Sequence, residues 1–331
     1  RREAVDGPVV YFVDHFFRDH ELIGRLPMEK GDQLHFVDSS SEPEVTRIDA
    51  FKEAVSAADS RTPCCVVGIG GGNALDTAKA VANLLTNPGK AEDYQGWELV
   101  KNPAVYKIGI PTLSGTGSEC SRTCVLTNIP KNLKLGMNSD YTVYDQLLLD
   151  PDLLATVPRD QYFYTGIDTF MHCVESLQGS YRNAIIDAFS VRAVQLCEEI
   201  FLSDDMMSEE NREKMMIASY IGGMAAGNVG VIHPFSAGLG VVLHVAHGLG
   251  NCLALNVLGD IYPKEYKQFR TMIERQGVNL PTGICKDLTE EQYEGLYRGC
   301  IVHEKPLTNA LGPDFKQILT RENLIERYKS I

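Results

Sequence analysis

The pattern of apolar and polar positions divides the chain into two halves. In the first half, short apolar runs at residues 9–13, 33–37, 64–69 and 107–112 predict strands. Apolar residues at helical spacing follow the first run up to Leu26 and recur over residues 45–58 and 74–85. The run CCVVGI is almost entirely apolar, as expected of a strand buried on both faces of a parallel sheet. This alternation of strands and helices predicts an open α/β sheet.

In the second half, strand-like runs become scarce and long helical patterns predominate. These patterns cover residues 183–201, 209–227 and 314–329. The segment DPDLLATVPRD, which holds two prolines and a carboxylate suited to a helix start, marks the junction. We therefore predict an α/β nucleotide-binding domain over residues 1–153 and an all-helical domain over residues 154–331.

Composition then restricts the class of protein. The net charge of −13 argues against a general nucleic-acid binder, which needs a basic face. The chain has no run of eighteen apolar residues, and its first ten residues lack the apolar core of a signal peptide, so no membrane span is expected. Nine cysteines, an odd number without CxxC spacing, are expected to be reduced and mostly buried in a cytoplasmic protein.

Two glycine-rich segments follow predicted strands and are typical of nucleotide-binding loops. GIGGGN at residues 68–73 precedes a strong helix, so its glycines would let a diphosphate approach the backbone and the helix N-terminus. SGTGSE at residues 114–119 adds hydroxyl groups. Two such loops at adjacent strand ends fit the crevice where open α/β sheets bind ligands. Because residue 73 is Asn, the GxGxxG pattern is incomplete, and a tight turn or two unrelated turns are the alternatives.

Two carboxylates at strand ends compete for one role, the binding of an adenosine ribose. Asp14 closes the first strand, where a carboxylate can bond both ribose hydroxyls and repel a 2′-phosphate. An N-cap role for Asp14 is equally well supported. Asp38, at the end of the second strand, is the rival for the ribose.

Four residues of the second half could form a metal site. Asp168 and His172 are four apart, which places them on one helix face, and both side chains bind divalent metals. A buried hydrogen bond between them is the alternative. His233 and His247 are fourteen apart, about 21 Å on a straight helix, which is too far for a shared metal. The chain could turn back at a glycine, and three are available: Gly238, Gly240 and Gly248.

Taken together, these motifs resemble the iron-containing (group III) alcohol dehydrogenase family. GIGGGNALDTAKA is similar to the diphosphate loop and helix of that family, and PTLSGTGSE to its second cofactor loop. GIDTFMHCVES and the segment from His233 to His247 are similar to its metal-binding pieces, and PLTNALGPDFKQILTRENLIERY to its closing helices. The resemblance implies the dehydroquinate synthase-like fold, an enzyme that oxidises alcohols with a nicotinamide cofactor, and a homodimer.

The resemblance also implies roles for residues. The metal, Fe²⁺ or Zn²⁺, would be held by Asp168, His172, His233 and His247. Asp14 would bind the ribose of NAD or NADP, and the rest of the cofactor would be lined by Gly70, Gly71, Gly72, Asn73, Asp76, Thr112, Ser114, Thr116 and Lys134. The chemistry would be that of a metal-activated alkoxide, with no catalytic side chain assigned. His244 is a candidate proton relay, although a surface position is the favoured interpretation.

One departure from the family pattern affects the mechanism. The family usually places another histidine four residues after the third ligand, beside the nicotinamide, and here that position is Ala237. A mechanism that needs a protein base at that position is therefore not supported.

A narrower resemblance concerns the substrate. Four segments are similar to the branch that oxidises C8 of 3-deoxy-D-manno-octulosonate (Kdo): YQGWELVKNPAVYKIGIPT, SECSRTCVL, LGMNSDYTVYDQ and YFYTGIDTFMHCVES. In that branch a PLP-dependent aminotransferase then acts, giving 8-amino-Kdo for lipopolysaccharide. Arg122 is the candidate for the substrate carboxylate, and its pairing with an acid such as Glu119 is the alternative. A short-chain alcohol or diol dehydrogenase and a metal-dependent sugar-phosphate cyclase are the rival functions.

Overall fold

The computed structural model describes residues 5–331. Residues 1–4, on which the interpretation of the chain's start partly rests, lie outside the described part. The chain divides into two compact units. The first runs up to Leu113 and continues over Ser118–Leu153, whereas the second combines Ser114–Gly117 with Leu154–Ile331.

The first unit is built on a parallel sheet. In the described residues its order is β2 (Gln33–Val37), β1 (Val9–Asp14), β3 (Cys65–Gly70), β5 (Lys107–Pro111) and β8 (Gln146–Leu147). The neighbouring strands pair in parallel, with Tyr11 opposite Val67. The helices of this unit are α1 (Glu21–Arg25), α2 (Val45–Ala58) and α3 (Gly72–Leu84). The predicted strands of the first half are therefore confirmed to within one residue.

Alternating side chains of the central strands enter separate hydrophobic clusters. Val10, Phe12 and Val66 pack with α2 and α3. Val9 and Tyr11 pack in a second cluster that also includes residues of α1. Both kinds of position on β1 are buried, which explains its continuous apolar run.

A second, smaller sheet was not predicted from the sequence. β6 (Thr123–Asn128) and β7 (Leu133–Asn138) form an antiparallel pair, and β4 (Gly96–Trp97) adds to β7 in parallel. On β6 every second residue is buried, so a period-two signal was present in TCVLTN. Asn132, in the left-handed conformation, lies in the connection between β6 and β7.

The second unit is helical apart from Ser114–Gly117, as predicted for its fold class. Its helices are α4 (Arg159–Gln178), α5 (Ala184–Phe201), α6 (Glu209–Gly222), α7 (Ile232–Leu243), α8 (His247–Val257), α9 (Pro263–Gln276), α10 (Glu290–Ile301), α11 (Glu304–Leu311), α12 (Phe315–Ile318) and α13 (Arg321–Lys329). Short 3₁₀ helices complete the two units: His15–Phe17, Ala91–Tyr94, Ile129–Lys131, Asp140–Thr142, Pro151–Leu154 and Gly223–Asn228.

Two predicted helices differ from those observed. The pattern over residues 209–227 ends as an α-helix at Gly222 and continues as a 3₁₀ helix. The helical pattern over residues 314–329 is divided into two helices, because α12 ends at Ile318 and Thr320 caps a new helix by accepting the N–H of Asn323.

Two further expectations concern membrane spans and cysteines. Within residues 5–331, no single helix is long and apolar enough to cross a membrane. Two consecutive segments with a bend between them, Glu209–Asn228 and Ile232–Leu243, reach the required length and apolar composition only when taken together. All nine cysteines have free thiols, and all except the half-buried Cys120 are buried, which confirms the expected mostly buried thiols.

Candidate functional site

Helix α4 carries three of the polar side chains that build the site. Asp168, His172 and Glu175 are 0%, 4% and 1% exposed, so this face of the helix is fully inside the helical unit. Their spacing of four and three residues places them on successive turns. Buried charged groups need partners: Asp168 and Glu175 both contact His233 of another helix, and His172 lies 3.9 Å from Asp168 within α4.

Helices α7 and α8 bring the two distant histidines together. His233 lies in the first turn of α7 and His247 is the first residue of α8. The chain reverses at His244, which adopts the left-handed conformation with φ of 55°. The prediction that glycines make this turn was wrong: Gly238 lies inside α7, where a Cβ atom would come within 2.7 Å of the Leu296 carbonyl oxygen. Gly238 therefore serves the close packing of α7 against α10.

Asp168, His233 and His247 form a compact cluster of donor atoms. One donor atom from each lies within 4.8 Å of the others. Nε2 of His233 is 3.2 Å from Asp168 Oδ1, and Nε2 of His247 is 3.6 Å from Asp168 Oδ2. Two imidazole nitrogens and a carboxylate oxygen are a donor set suited to a divalent transition metal.

His172 lies beside this cluster but outside it. Its Nε2 is 3.9 Å from Asp168 Oδ1, and its ring stacks on that of His233 with centroids 4.5 Å apart. Among residues 5–331, Nδ1 of His172 has no hydrogen-bond partner. The geometry thus brings three of the four predicted ligands within shared reach and places the fourth next to them.

Glu175 is a part of the site that the sequence analysis missed. It accepts hydrogen bonds from the backbone N–H of Ile232 at 2.6 Å and the Tyr262 hydroxyl at 3.2 Å, both on Oε1. Its Oε2 accepts from Nδ1 of His233. This contact directs the other ring nitrogen of His233 toward Asp168, as carboxylates commonly do for metal-binding histidines. The spacing of seven residues from Asp168 could have indicated Glu175.

Asn251 is a second missed residue. It is fully buried on α8, four residues after His247, and its amide donates to Asp168 Oδ1 at 2.7 Å. The same nitrogen lies 3.3 Å from His247 Nε2. Asn251 therefore ties the carboxylate of α4 to the ligand helix α8, and only its helical spacing from His247 could have signalled this.

The electrostatics of the cluster depend on burial and on neighbouring charge. Burial raises the pKa of Asp168, but His172 and the other two histidines outweigh it, so the pKa falls below its ordinary range. Burial lowers the pKa of His172 to about 4. For His233, burial lowers the pKa but Glu175 and Asp168 outweigh it, which leaves the pKa raised to about 9.

The donor set fits a divalent cation. Asp168 is fully buried, and its Oδ2 accepts no hydrogen bond from any residue of the described chain. An unpartnered buried carboxylate oxygen is costly, and a cation would satisfy it.

Two other positions named in the sequence analysis differ in exposure. His244, the candidate proton relay, is exposed at the turn before α8, whereas Ala237, where the family usually has a histidine, is buried in α7.

In the first unit, the glycine segment after β3 forms the turn into α3. Gly70 has φ of +151°, and a Cβ atom there would lie 2.6 Å from Ala74 Cβ and 2.9 Å from Asp14 Cβ. Gly71 is the N-cap of α3 and leaves its first N–H groups without a capping side chain. These amides, at the positive end of the helix, are suited to bind a phosphate group.

Several predicted cofactor residues already have partners within the first unit. The Asn73 amide donates to the Ser41 carbonyl oxygen at 2.8 Å, and Lys134 Nζ lies 2.9 Å from Glu42 Oε1. The Thr112 N–H donates to the Gly70 carbonyl oxygen at 3.0 Å, which ties the end of β5 to the glycine turn.

Asp76 is also engaged inside this unit. Its Oδ2 accepts the backbone N–H of Val125 at 2.8 Å, and its Oδ1 accepts the Ser118 hydroxyl. The buried Lys79 ammonium lies 3.3 Å from the same Oδ1. Asp76 thus links α3 to β6 and to the residues that follow the second glycine segment.

The two ribose candidates have different surroundings. Asp14 caps the 3₁₀ helix after β1 by accepting the Phe16 N–H at 3.0 Å, and its other oxygen accepts the Ser39 hydroxyl at 2.7 Å. Asp38 lines a groove with Asn73 and residues of α2 and α3. The pKa of Asp38 lies below its usual range because it accepts hydrogen bonds from Ser40. Asp38 also lies 3.6 Å from the Arg47 guanidinium group, and the ribose role of either carboxylate stays a prediction.

The predicted second cofactor loop lies in the helical unit. Ser114 and Thr116 belong to the segment Ser114–Gly117, which packs with α4 and α6. Arg122, the candidate substrate residue, lies in the first unit and pairs with Glu98 and, at 3.0 Å, with Asp140. These carboxylates differ from Glu119, the partner considered in the sequence analysis.

Comparison with known proteins gives the family. The model for iron-containing alcohol dehydrogenase matches residues 19–151, and the model for the C-terminal part of the Fe-containing alcohol dehydrogenase family matches residues 162–295. A sulfoacetaldehyde reductase of Bilophila wadsworthia is 34% identical over 65% of the chain, and an NAD-dependent methanol dehydrogenase of Bacillus methanolicus is 32% identical over 62%. The matched segments span 56% and 53% of these two relatives.

Solved structures agree with this result. The crystal structure of a sulfoacetaldehyde reductase from Bifidobacterium kashiwanohense in complex with NAD⁺ has a TM-score of 0.79 and 25% identity, and the match covers 99% of this chain and 92% of that chain. An alcohol dehydrogenase from Oenococcus oeni, at 21% identity, shares the fold with a TM-score of 0.83 over 99% of this chain and 94% of its own. The two family models cover both units, and the chain belongs to the iron-containing alcohol dehydrogenase family.

Proposed function

We propose that the chain is a metal-dependent, NAD-linked dehydrogenase that interconverts a primary alcohol and its aldehyde. The observation that carries this proposal is the cluster of the buried Asp168 with the half-buried His233 and His247, whose donor atoms lie within 4.8 Å of one another. Family membership agrees with it, and two of the relatives named above are a methanol dehydrogenase and a sulfoacetaldehyde reductase.

The metal would be a divalent iron or zinc ion held by Asp168, His233 and His247, with His172 as the fourth ligand. When bound, such an ion would supply Lewis-acid chemistry that lowers the pKa of an alcohol oxygen. Glu175 holds the ring of His233 in place, and Asn251 holds the carboxylate of Asp168. The protein therefore fixes ligand geometry through residues on α4, α7 and α8.

The cofactor would be NAD, bound by backbone groups of the first unit. Gly70 lets the chain turn tightly from β3 into α3, whose N-terminal amides would bind the diphosphate. Asp38 would accept the ribose hydroxyls and repel the 2′-phosphate of NADP. Two relatives support this choice, since one is named as NAD-dependent and another was crystallised with NAD⁺.

The reaction would transfer a hydride from the carbinol carbon to C4 of the nicotinamide, while the hydroxyl proton passes to solvent. The residue four positions after His233 is Ala237, which cannot accept a proton. His244, exposed at the turn before α8, is the candidate to relay this proton.

For the substrate, we propose an anionic primary alcohol. That alcohol is Kdo, oxidised at C8 during lipopolysaccharide sugar biosynthesis. The aldehyde would pass to a PLP-dependent aminotransferase. The support is the similarity of four long segments to the Kdo-oxidising branch, together with a relative that acts on sulfoacetaldehyde, itself an anionic aldehyde. A short-chain alcohol or diol is the competing substrate class.

The test is the absorbance at 340 nm when purified, metal-loaded protein is mixed with NAD and an alcohol. Four alcohols separate the substrate classes: Kdo, 2-hydroxyethanesulfonate, 1,3-propanediol and methanol. We expect NADH formation that depends on added Fe²⁺ or Zn²⁺, with the highest kcat/KM for Kdo. A preference for one of the other three would retain the dehydrogenase and replace the substrate. Absence of NADH formation with all four, and of NADH binding, would refute the dehydrogenase proposal.

A further inference from the structure

The segment Ser114–Gly117 lies directly against the backbone of the helical unit. Gly115 has φ of +145°, and a Cβ atom there would lie 1.6 Å from the carbonyl oxygen of Thr165 in α4. Gly117 has φ of +64°, and its Cβ atom would lie 2.3 Å from Cα of Gly223. Both positions therefore require glycine, for conformation and for space.

Two buried hydroxyl groups hold this segment in place. The Gly115 N–H donates to Ser219 Oγ of α6 at 2.8 Å, and the Gly115 carbonyl oxygen accepts from Thr169 Oγ1 of α4 at 2.9 Å. Ser219 and Thr169 are both fully buried. Thr169 follows Asp168 directly in α4, so the residue that holds the loop is the chain neighbour of the proposed metal ligand. We call Thr169, Ser219 and their bonds to Gly115 the Gly115 clamp.

The clamp leaves one hydroxyl of the segment available to a ligand. Ser114 is 2% exposed, and in the described chain its Oγ has no hydrogen-bond partner. A buried hydroxyl without a partner is costly, so its retention here suggests that a ligand supplies the bond.

We propose that Thr169 and Ser219 are positioning residues, which fix Ser114–Gly117 relative to Asp168 and thereby align the nicotinamide cofactor with the metal-bound substrate site. The inference rests on the proposed dehydrogenase function. Beyond that function, it states that Ser114–Gly117 is held by α4, the helix that carries Asp168. Alignment of reacting groups is worth several powers of ten in rate, so a small shift of the loop would lower hydride transfer without releasing the metal.

The test uses variants of the full-length, metal-loaded enzyme. Thr169→Val keeps the shape but removes the donor to Gly115, Ser219→Ala removes the acceptor, and Thr169→Ser restores a hydroxyl. Because a buried carbonyl group is left unpaired, we expect Thr169→Val to raise the KM for NAD about 10-fold and Thr169→Ser to recover most of the loss. The primary deuterium isotope effect on kcat should rise in Thr169→Val and Ser219→Ala, because hydride transfer becomes slower relative to other steps.

Ser176→Ala is the matched control. Ser176 is a buried hydroxyl residue of the same helix, seven positions and about 10 Å beyond Thr169. The control should match wild type in KM for NAD and in isotope effect, and metal content should equal that of wild type in every variant. If Thr169→Val does not fold, Ser219→Ala and Thr169→Ser provide the same comparison with smaller changes.

The outcomes separate this inference from the proposed function. Wild type that binds NADH and oxidises alcohols, with clamp variants indistinguishable from Ser176→Ala, would overturn the inference alone. Loss of metal in the clamp variants would also overturn it, because Thr169 would then support the ligand helix and not the loop. Wild type that neither binds NADH nor turns over any alcohol would overturn the proposed function, and the inference with it.

Discussion

The candidate metal site and the proposed nucleotide-binding turn after β3 are built from different parts of the polypeptide. At the candidate metal site, the side chains of Asp168, His233 and His247 would bind the ion, and contacts with neighbouring helices position them. At the turn, backbone amides would bind the diphosphate, and Gly70 is needed there because a side chain would clash. The two regions should therefore respond to mutation in different ways.

A site made of side chains loses function when a single group is removed. A site made of backbone loses function when a group is added, since a new Cβ atom must displace its surroundings. The cluster should thus be sensitive to truncation, whereas the turn should be sensitive to Gly→Ala at some positions and tolerant at others. The predictions below test this difference in order of expected effect.

Removal of a ligand should have the largest effect. In His233→Ala one donor of the cluster disappears, and the bound metal and the activity should fall by more than the roughly 100-fold seen for indirect changes. Elemental analysis after desalting measures the metal, and His20→Ala, which alters the exposed cap of α1, is the control. Full metal occupancy in His233→Ala would contradict the assignment.

Glu175→Gln should have the next largest effect. The carboxylate accepts from three donors, the Ile232 N–H, the Tyr262 hydroxyl and His233 Nδ1, whereas an amide must present an NH₂ group to at least one of them. We expect the affinity for Zn²⁺ or Co²⁺ to fall about 10- to 100-fold. Competition with a chromogenic chelator gives the affinity. Glu265→Gln, at another buried glutamate of this unit, should bind metal as wild type does.

In the nucleotide-binding turn, neighbouring glycines should differ. Gly70→Ala places a Cβ atom 2.6 Å from Ala74 Cβ at a φ of +151°, so the turn must move. In Gly71→Ala the nearest atom, of Leu113, is 3.4 Å away and the φ of −76° is ordinary. Strain of this kind costs about 1–3 kcal/mol, which corresponds to about a 5- to 150-fold loss of NADH affinity in Gly70→Ala. Fluorescence titration with NADH should show near wild-type affinity in Gly71→Ala.

Cofactor preference should depend on Asp38 more than on Asp14. Asp38→Gly removes a negative charge from the groove that also contains Asn73, so the preference for NAD over NADP should weaken several-fold. Asp14→Gly should mainly cost stability, because Asp14 caps a 3₁₀ helix and accepts the Ser39 hydroxyl. The ratio of kcat/KM with NAD to kcat/KM with NADP, measured for each variant, shows which of the two carboxylates sets the cofactor preference. A larger change in Asp14→Gly would restore the role predicted from the sequence.

The four candidate ligands came from the sequence chiefly through the family resemblance. Helical spacing alone indicated Asp168 and His172 and left a buried hydrogen bond as the alternative, whereas the spacing of His233 and His247 required a turn between them. The turn between the latter two could not be found in this way, since it depends on His244 in a conformation that usually favours glycine. Glycines 238 and 240 suggested a turn but lie inside α7.

Supporting residues were harder to predict than ligands. Glu175 and Asn251 have residue types found on any helix surface, and only packing shows that they are buried against His233 and Asp168. The same holds for the Gly115 clamp, because only the structure shows that Ser219 and Thr169 form hydrogen bonds with the backbone of Gly115. The β6–β7 pair was missed although the alternation of β6 was visible, because polar residues and a glycine interrupt the apolar positions of the two strands.

Arg122 should show the smallest effect. Its guanidinium group pairs with Glu98 and Asp140 and is about one-third exposed, so a substrate carboxylate would compete with two anions. Exposed ion pairs contribute about 0–1 kcal/mol, and we expect Arg122→Ala to lower kcat/KM less than about 5-fold, equally for Kdo and a neutral polyol. Lys131→Ala, which removes another exposed ion pair of the same unit, is the matched control. A loss of activity confined to Kdo would instead give Arg122 the role of binding the substrate carboxylate, because only a direct contact distinguishes the two alcohols.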